Sequence, residues 1–90
     1  MAKLRELGED TGIYWFYCPG CKYNHSYHTK YGKVLWTFNN DLDKPTFRPS
    51  LGNRTTESYC HLFITDGKIQ FLSDCTHELK GQTVEMQEMD

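Results

Sequence analysis

Cys18-Pro19-Gly20-Cys21 is the segment of this chain with the clearest chemistry. Two thiolates three positions apart on a tight turn can both reach one tetrahedral ion at about 2.3 Å. Gly20 lets the backbone turn sharply between them. One such pair supplies half a site, and Cys60 and Cys75 are the sulfurs left to complete it. Three histidines stand close enough in the chain to replace a sulfur. His25 follows Cys21 by four residues, His61 is next to Cys60, and His77 lies two beyond Cys75. Redox chemistry at the Cys-x-x-Cys needs a helix starting at the motif, and Lys22-Tyr23-Asn24-His25-Ser26 is a poor helix start. The plain alternative for Cys60 and Cys75 is an ordinary buried thiol.

The elements that must position these sulfurs are strands. Leu62-Phe63-Ile64-Thr65 and Lys68-Ile69-Gln70-Phe71-Leu72 flank Asp66-Gly67, a strong signal for a hairpin with a type I′ turn. A two-residue turn pairs Thr65 with Lys68, Ile64 with Ile69 and Leu62 with Phe71. Continued outward, Cys60 faces Ser73 and Ser58 faces Cys75. Cys60 and Cys75 then share a face with Leu62, Ile64, Ile69 and Phe71, while His61 points to the other face. This register favours Cys18, Cys21, Cys60 and Cys75 as a closed zinc site. A bulge would exchange His61 for Cys60 or His77 for Cys75.

Elsewhere, the aromatic run Ile13–Tyr17 reads as a buried strand ending at Cys18. Tyr23, His25, Tyr27, Thr29 and Tyr31 alternate along one face of another, and Val34–Phe38 makes a third. Pro45 and Pro49 confine the stretch between them to an extended edge or a packed loop. Gly52–Ser58 reads as a mobile polar loop. Thr76–Lys80 can form one helical turn stopped by Gly81, and Gln82–Met86 a last strand. The fold class is therefore mainly β: a small zinc-stabilised antiparallel sheet with a Cys-x-x-Cys knuckle and a C-terminal hairpin. It forms one domain over residues 1–90, loose over 1–10, with an acidic tail over 87–90.

Composition agrees with a small folded domain. The 90 residues are 38 % hydrophobic and 24 % charged, which is too apolar for disorder. Six Tyr, five Phe and two Trp can fill a core too small for aliphatics alone. A domain of this size often needs a staple, and a metal is one. With Lys+Arg at 10 against Asp+Glu at 12, the net charge of −2 gives no footprint for duplex nucleic acid. No apolar run can span a bilayer, and Met1–Gly8 has no apolar signal-peptide region. The expected setting is a reducing cytosol, where cysteines favour metals over disulfides.

Other groupings are weaker. There are four histidines and no clear nucleophile. His61 and His77 can form a second polar site beside the metal, as hydrogen-bond donors to its sulfurs or as a small metallo-hydrolase centre. Lys22, Lys30 and Lys33 interleave with Tyr23, Tyr27 and Tyr31, a pattern able to grip single-stranded nucleic acid, although such a tyrosine face is more often core. Trp15 and Trp36 read as core fillers.

Taken together, Cys18-Pro19-Gly20-Cys21 with His25, Trp36-Thr37-Phe38-Asn39, Lys44-Pro45-Thr46-Phe47-Arg48-Pro49-Ser50-Leu51, Cys60 through Leu72 and Asp74 through Val84 resemble a family of small proteins encoded by tailed bacteriophages and prophages. Its members are often labelled "ammonia monooxygenase". The resemblance covers roughly residues 14–85. It carries over the positions Cys18, Cys21, His25, Pro45, Thr46, Pro49, Ser50, Cys60, His61, Cys75 and His77, and departs at Arg48, where the family often has serine. It implies no activity. The monooxygenase label conflicts with a thiolate-rich site and no membrane span, since that chemistry uses copper or iron in a membrane assembly. The expected function is a non-enzymatic, zinc-stabilised phage accessory protein. Its expected partner is a host or phage protein, with single-stranded nucleic acid and small zinc hydrolase as alternatives. His25, His61, His77, Tyr23, Tyr27 and Tyr31 are the candidate binding residues.

Overall fold

In the computed structural model, residues 2–32 and 35–89 are described. They form eight strands: β1 (Arg5–Glu6), β2 (Ile13–Cys18), β3 (Tyr23–His28), β4 (Thr37–Phe38), β5 (Phe47–Arg54), β6 (Tyr59–Thr65), β7 (Lys68–Phe71) and β8 (Thr83–Glu85). The mainly β class holds, as two antiparallel sheets rather than one. The first has the order β1-β2-β3 and the second β4-β5-β6-β7-β8. Lys33 and Val34 lie outside the described residues, and of the strand expected over Val34–Phe38 only Thr37–Phe38 pairs.

The hairpin of β6 and β7 follows the arithmetic of its turn. Asp66 and Gly67 both have positive φ, 50° and 77°, as a type I′ turn requires. Leu62 pairs with Phe71, Ile64 with Ile69 and Thr65 with Lys68. Alternation then drives Cys60, Leu62, Ile64, Ile69 and Phe71 inward, and all are buried. Across the layer, Phe16 of β2 and Tyr27 of β3 close the core. The rings of Tyr27 and Phe47 stack at 4.0 Å, and Phe38 stacks on Phe47 at 4.6 Å. Such pairs add about 0.5–1.5 kcal/mol each beyond burial. Trp36 packs half-buried against this group, and Trp15 is also half-buried.

Four local expectations change. Leu4 is buried and Arg5–Glu6 pair with β2, within the stretch expected to be loose. The Pro45–Leu51 segment leads into β5, which is flanked by β4 and β6. Pro49 lacks a ladder donor, and the register shifts there between Phe47 and Leu51, a bulge that lets a proline sit inside the sheet. The loop expected over Gly52–Ser58 is half strand and half tight turn. Thr55 Oγ1 accepts the N–H groups of Glu57 and Ser58. Over Thr76–Lys80 there is no helix, because Lys80 N–H bonds to His77 O and Gln82 N–H to Leu79 O as consecutive turns.

Candidate metal centre and active site

The knuckle after β2 is built by local geometry. Lys22 sits at φ 65°, its N–H bonds to Cys18 O at 2.7 Å, and Cys21 N–H points at Cys18 Sγ at 3.4 Å. That brings both sulfurs to one side of the turn, against the buried end of β6. Cys18 Sγ lies 3.9 Å from Cys60 Sγ. Ligand atoms of Cys18, Cys21, His25 and Cys60 all fall within 4.8 Å of one another, a group able to hold a metal ion.

The donor chemistry fits a cation. His25 is 6 % exposed, and its Nε2 is buried with no hydrogen-bond partner. Its Nδ1 lies 3.3 Å from the Asn53 side-chain amide, which also contacts the Tyr23 hydroxyl at 3.2 Å. The amide Nδ2 donates to the Tyr23 hydroxyl, and a turned amide would present its oxygen to Nδ1 instead. With the amide so turned, Nδ1 would carry the ring proton and the buried Nε2 would keep its lone pair for a cation, as in metal-bound histidines. The thiols cannot all ionise unaided. The Cys60 hydrogen bond, with help from His25 and Cys21 N–H, pulls Cys18 down to about 4. Burial and the Cys18 charge push Cys21 up to about 11. The Cys18 hydrogen bond and burial push Cys60 far up. A bound divalent cation removes this conflict by ionising all three.

Cys75 lies outside this group. The ladder of β6 and β7 ends at Phe71, and the chain turns, with Leu72 N–H bonding to His61 O and Cys75 N–H to Leu72 O. Cys75 Sγ thereby accepts from His61 N–H at 3.2 Å and donates to His61 O at 3.0 Å. It forms a second close group with Cys60 and His77. The His77 ring lies over Gly20, where a Cβ would come within 2.3–2.6 Å of three ring atoms, and edge-on to Phe71. His77 Nδ1 accepts from Leu79 N–H, so a neutral ring holds its proton on Nε2, 3.5 Å from Cys60 Sγ. His77 therefore donates a hydrogen bond to a sulfur of the group.

His61 faces the other way. Its Nδ1 is 3.0 Å from Asp74 Oδ2 and 3.2 Å from Oδ1, and its Nε2 is 2.8 Å from Ser50 Oγ. A carboxylate only accepts, so Nδ1 bears a proton, and in the neutral ring Nε2 then accepts from the Ser50 hydroxyl. Serine, imidazole and carboxylate in such a chain of contacts are the group types that can act as a nucleophile, a base and a group that orients the base. Ser50 leaves the bulge of β5, and its carbonyl accepts from Trp36 Nε1 at 3.2 Å. His61 is central in β6, opposite Gly52, and Asp74 lies in the turn after β7. The His61 side chain is 25 % exposed and that of Asp74 54 %, so the group opens to solvent. Arg48 lies over the Phe63 ring at 5.1 Å on one side, and Arg54 over Tyr59 at 4.3 Å on the other.

Sequence reasoning missed this group, finding no clear nucleophile. A signal was present: if Cys60 and Cys75 face inward, their neighbours His61 and Asp74 face outward together. The three tyrosines do not share one exposed face. Tyr27 is fully buried against Phe47, Tyr23 sits by the knuckle beside Asn53, and only Tyr31 is largely exposed. Lys33 lies outside the described residues. Among the described residues, no helix is long and apolar enough to cross a membrane.

A family model, BubE, described as "Bacterial ubiquitination-like system serine protease", matches residues 3–72 of the 90. No curated protein and no solved structure matches. The matched stretch holds Ser50 and His61, and Asp74 follows it by two residues. The match overturns the expectation of a non-enzymatic phage accessory protein and lends no support to a phage family or the monooxygenase label. It points to protein partners in a bacterial modification system.

Proposed function

The chain belongs to the BubE family, and on that premise we propose that it hydrolyses peptide or isopeptide bonds of a protein substrate with Ser50 as nucleophile. The unbroken contact chain Ser50 Oγ–His61 Nε2 and His61 Nδ1–Asp74 carries the reading. Ser50 Oγ attacks the scissile carbonyl carbon as its proton passes to His61 Nε2. His61 returns that proton to the leaving amine, the C–N bond breaks, and an acyl ester remains on Ser50. Water then loses a proton to His61 and attacks the ester, releasing the acid and restoring the Ser50 hydroxyl. Asp74 holds the imidazole in the required tautomer and stabilises the cation formed in each half.

Zinc would take the scaffold role, and Cys18, Cys21, Cys60 and His25 would hold it. Three thiolates and an imidazole suit that ion in a closed site. When bound, it would cross-link the first sheet to β6. Cys75 and His77 support the set by bonding to the His61 backbone and to Cys60.

The test is release of a reporter amine joined to the C-terminus of a bacterial ubiquitin-like protein. Wild-type protein should release it, and Ser50→Ala and His61→Ala should not. Equal release by wild type and Ser50→Ala would overturn the reading.

A further inference from the structure

The nucleophile stands beside two strand edges that no described strand covers. β4 pairs with β5 only at Phe47 and Arg48, and the Ser50 carbonyl is taken by Trp36. The hairpin turn fixes which β5 groups point away from β6. Thr55 N–H bonds to Ser58 O, so Asn53 and Leu51 exchange hydrogen bonds with Cys60 and Leu62. Gly52 and Arg54 are the alternate residues, and their N–H and C=O groups face the free edge. Tyr59 and His61, their partners in register, bond away from β5, to Thr76 and to Leu72 and Cys75, as this pattern demands.

β3 repeats the arrangement. Its last carbonyl, His28 O, accepts outward from Trp36 N–H, so Ser26 and Asn24 also present their backbone groups outward. A groove of about 400 Å³ runs between these edges, lined by Tyr23, Asn24, His25 and Ser26 from β3, Leu51 and Asn53 from β5, and Thr55 just after it. Gly52 and Arg54 are exposed.

We propose that the protein takes its substrate as an extended segment that adds as a strand to the β5 edge at Gly52 and Arg54, leading its scissile bond to Ser50. The proposal rests on the protease reading above. Main-chain pairing supplies grip on any extended sequence, and side chains at alternate positions supply choice. Gly52 is two residues along β5 from Ser50, so a strand laid on this edge runs towards the nucleophile. Folded globular surfaces cannot enter such an edge, so the substrate class is flexible tails and linkers of proteins.

Gly52→Pro deletes the outward N–H without removing a β5–β6 ladder bond, and Gly52→Ala adds a Cβ while keeping that N–H. Each variant is assayed on a library of ten-residue fluorescence-quenched peptides and with a small fluorophosphonate that needs no strand pairing. The ratio of peptide cleavage to fluorophosphonate labelling should fall at least tenfold in Gly52→Pro relative to Gly52→Ala. An equal ratio in the two variants overturns the edge proposal and leaves the triad standing. Labelling of wild-type Ser50 without cleavage of any library peptide has the same meaning. A wild-type protein that does not label at Ser50 overturns both. Should Gly52→Pro fail to fold, Arg54→Pro against Arg54→Ala makes the same comparison.

Discussion

The inner and outer faces of β6 carry opposite kinds of chemistry one residue apart. Inward, Cys60 is buried among sulfurs and apolar rings. Outward, His61 is open to solvent between a hydroxyl and a carboxylate. The turn after β7 repeats the division, with Asp74 outside and Cys75 inside. A strand's period of two makes this possible, and it also ties the faces together, because a slip of one residue would exchange them. Cys75 joins them directly by bonding to the N–H and C=O of His61. The difference teaches that reactive groups need access and a fixed partner, whereas the stabilising group needs burial and a complete donor set.

Removing the inner site should have the largest effect. Extraction of zinc with a strong chelator, or Cys18→Ser, should unfold the domain, since structural zinc contributes on the order of 10 kcal/mol. Circular dichroism and metal content read it, and a chelated protein that stays folded would break the comparison. Next is Ser50→Ala, which should lower kcat/KM by about 10⁶-fold. Its melting temperature and zinc content should stay those of wild type, as expected for an outer-face change. Asp74→Asn should cost about 10⁴-fold in kcat, because an amide can donate to Nδ1 and move the ring proton to Nε2, facing Ser50. Zinc content should again be unaltered. The smallest effect is Cys75→Ala, at about 1–3 kcal/mol of stability from the unpaired His61 N–H. One zinc should remain bound, whereas a loss equal to that of Cys18→Ser would move Cys75 into the ligand set in place of His25.

Much of the inner face was legible in the sequence. The Asp66-Gly67 turn sets the register, which puts Cys60 inward, and the Cys-Pro-Gly-Cys spacing brings Cys18 and Cys21 together. The place of Cys75 was not legible, because the ladder stops at Phe71 and a turn carries its sulfur to the His61 backbone. His25 stood in the sequence only as a substitute, and its unpartnered Nε2 is a property of packing. The outer face was nearly invisible. Ser50 has no signature of its own, and its aim depends on a bulge around Pro49 that sequence pattern does not encode. The family match speaks of a serine protease without saying which serine, and the proposed assignment to Ser50 rests on its contact with His61.

The most direct measurement is intact-mass and peptide mapping of zinc-loaded protein treated with a fluorophosphonate. The account requires a single adduct, on Ser50, absent in His61→Ala, with the bound zinc still present. An unmodified Ser50 in folded, zinc-loaded protein, or an adduct that His61→Ala does not diminish, would contradict it.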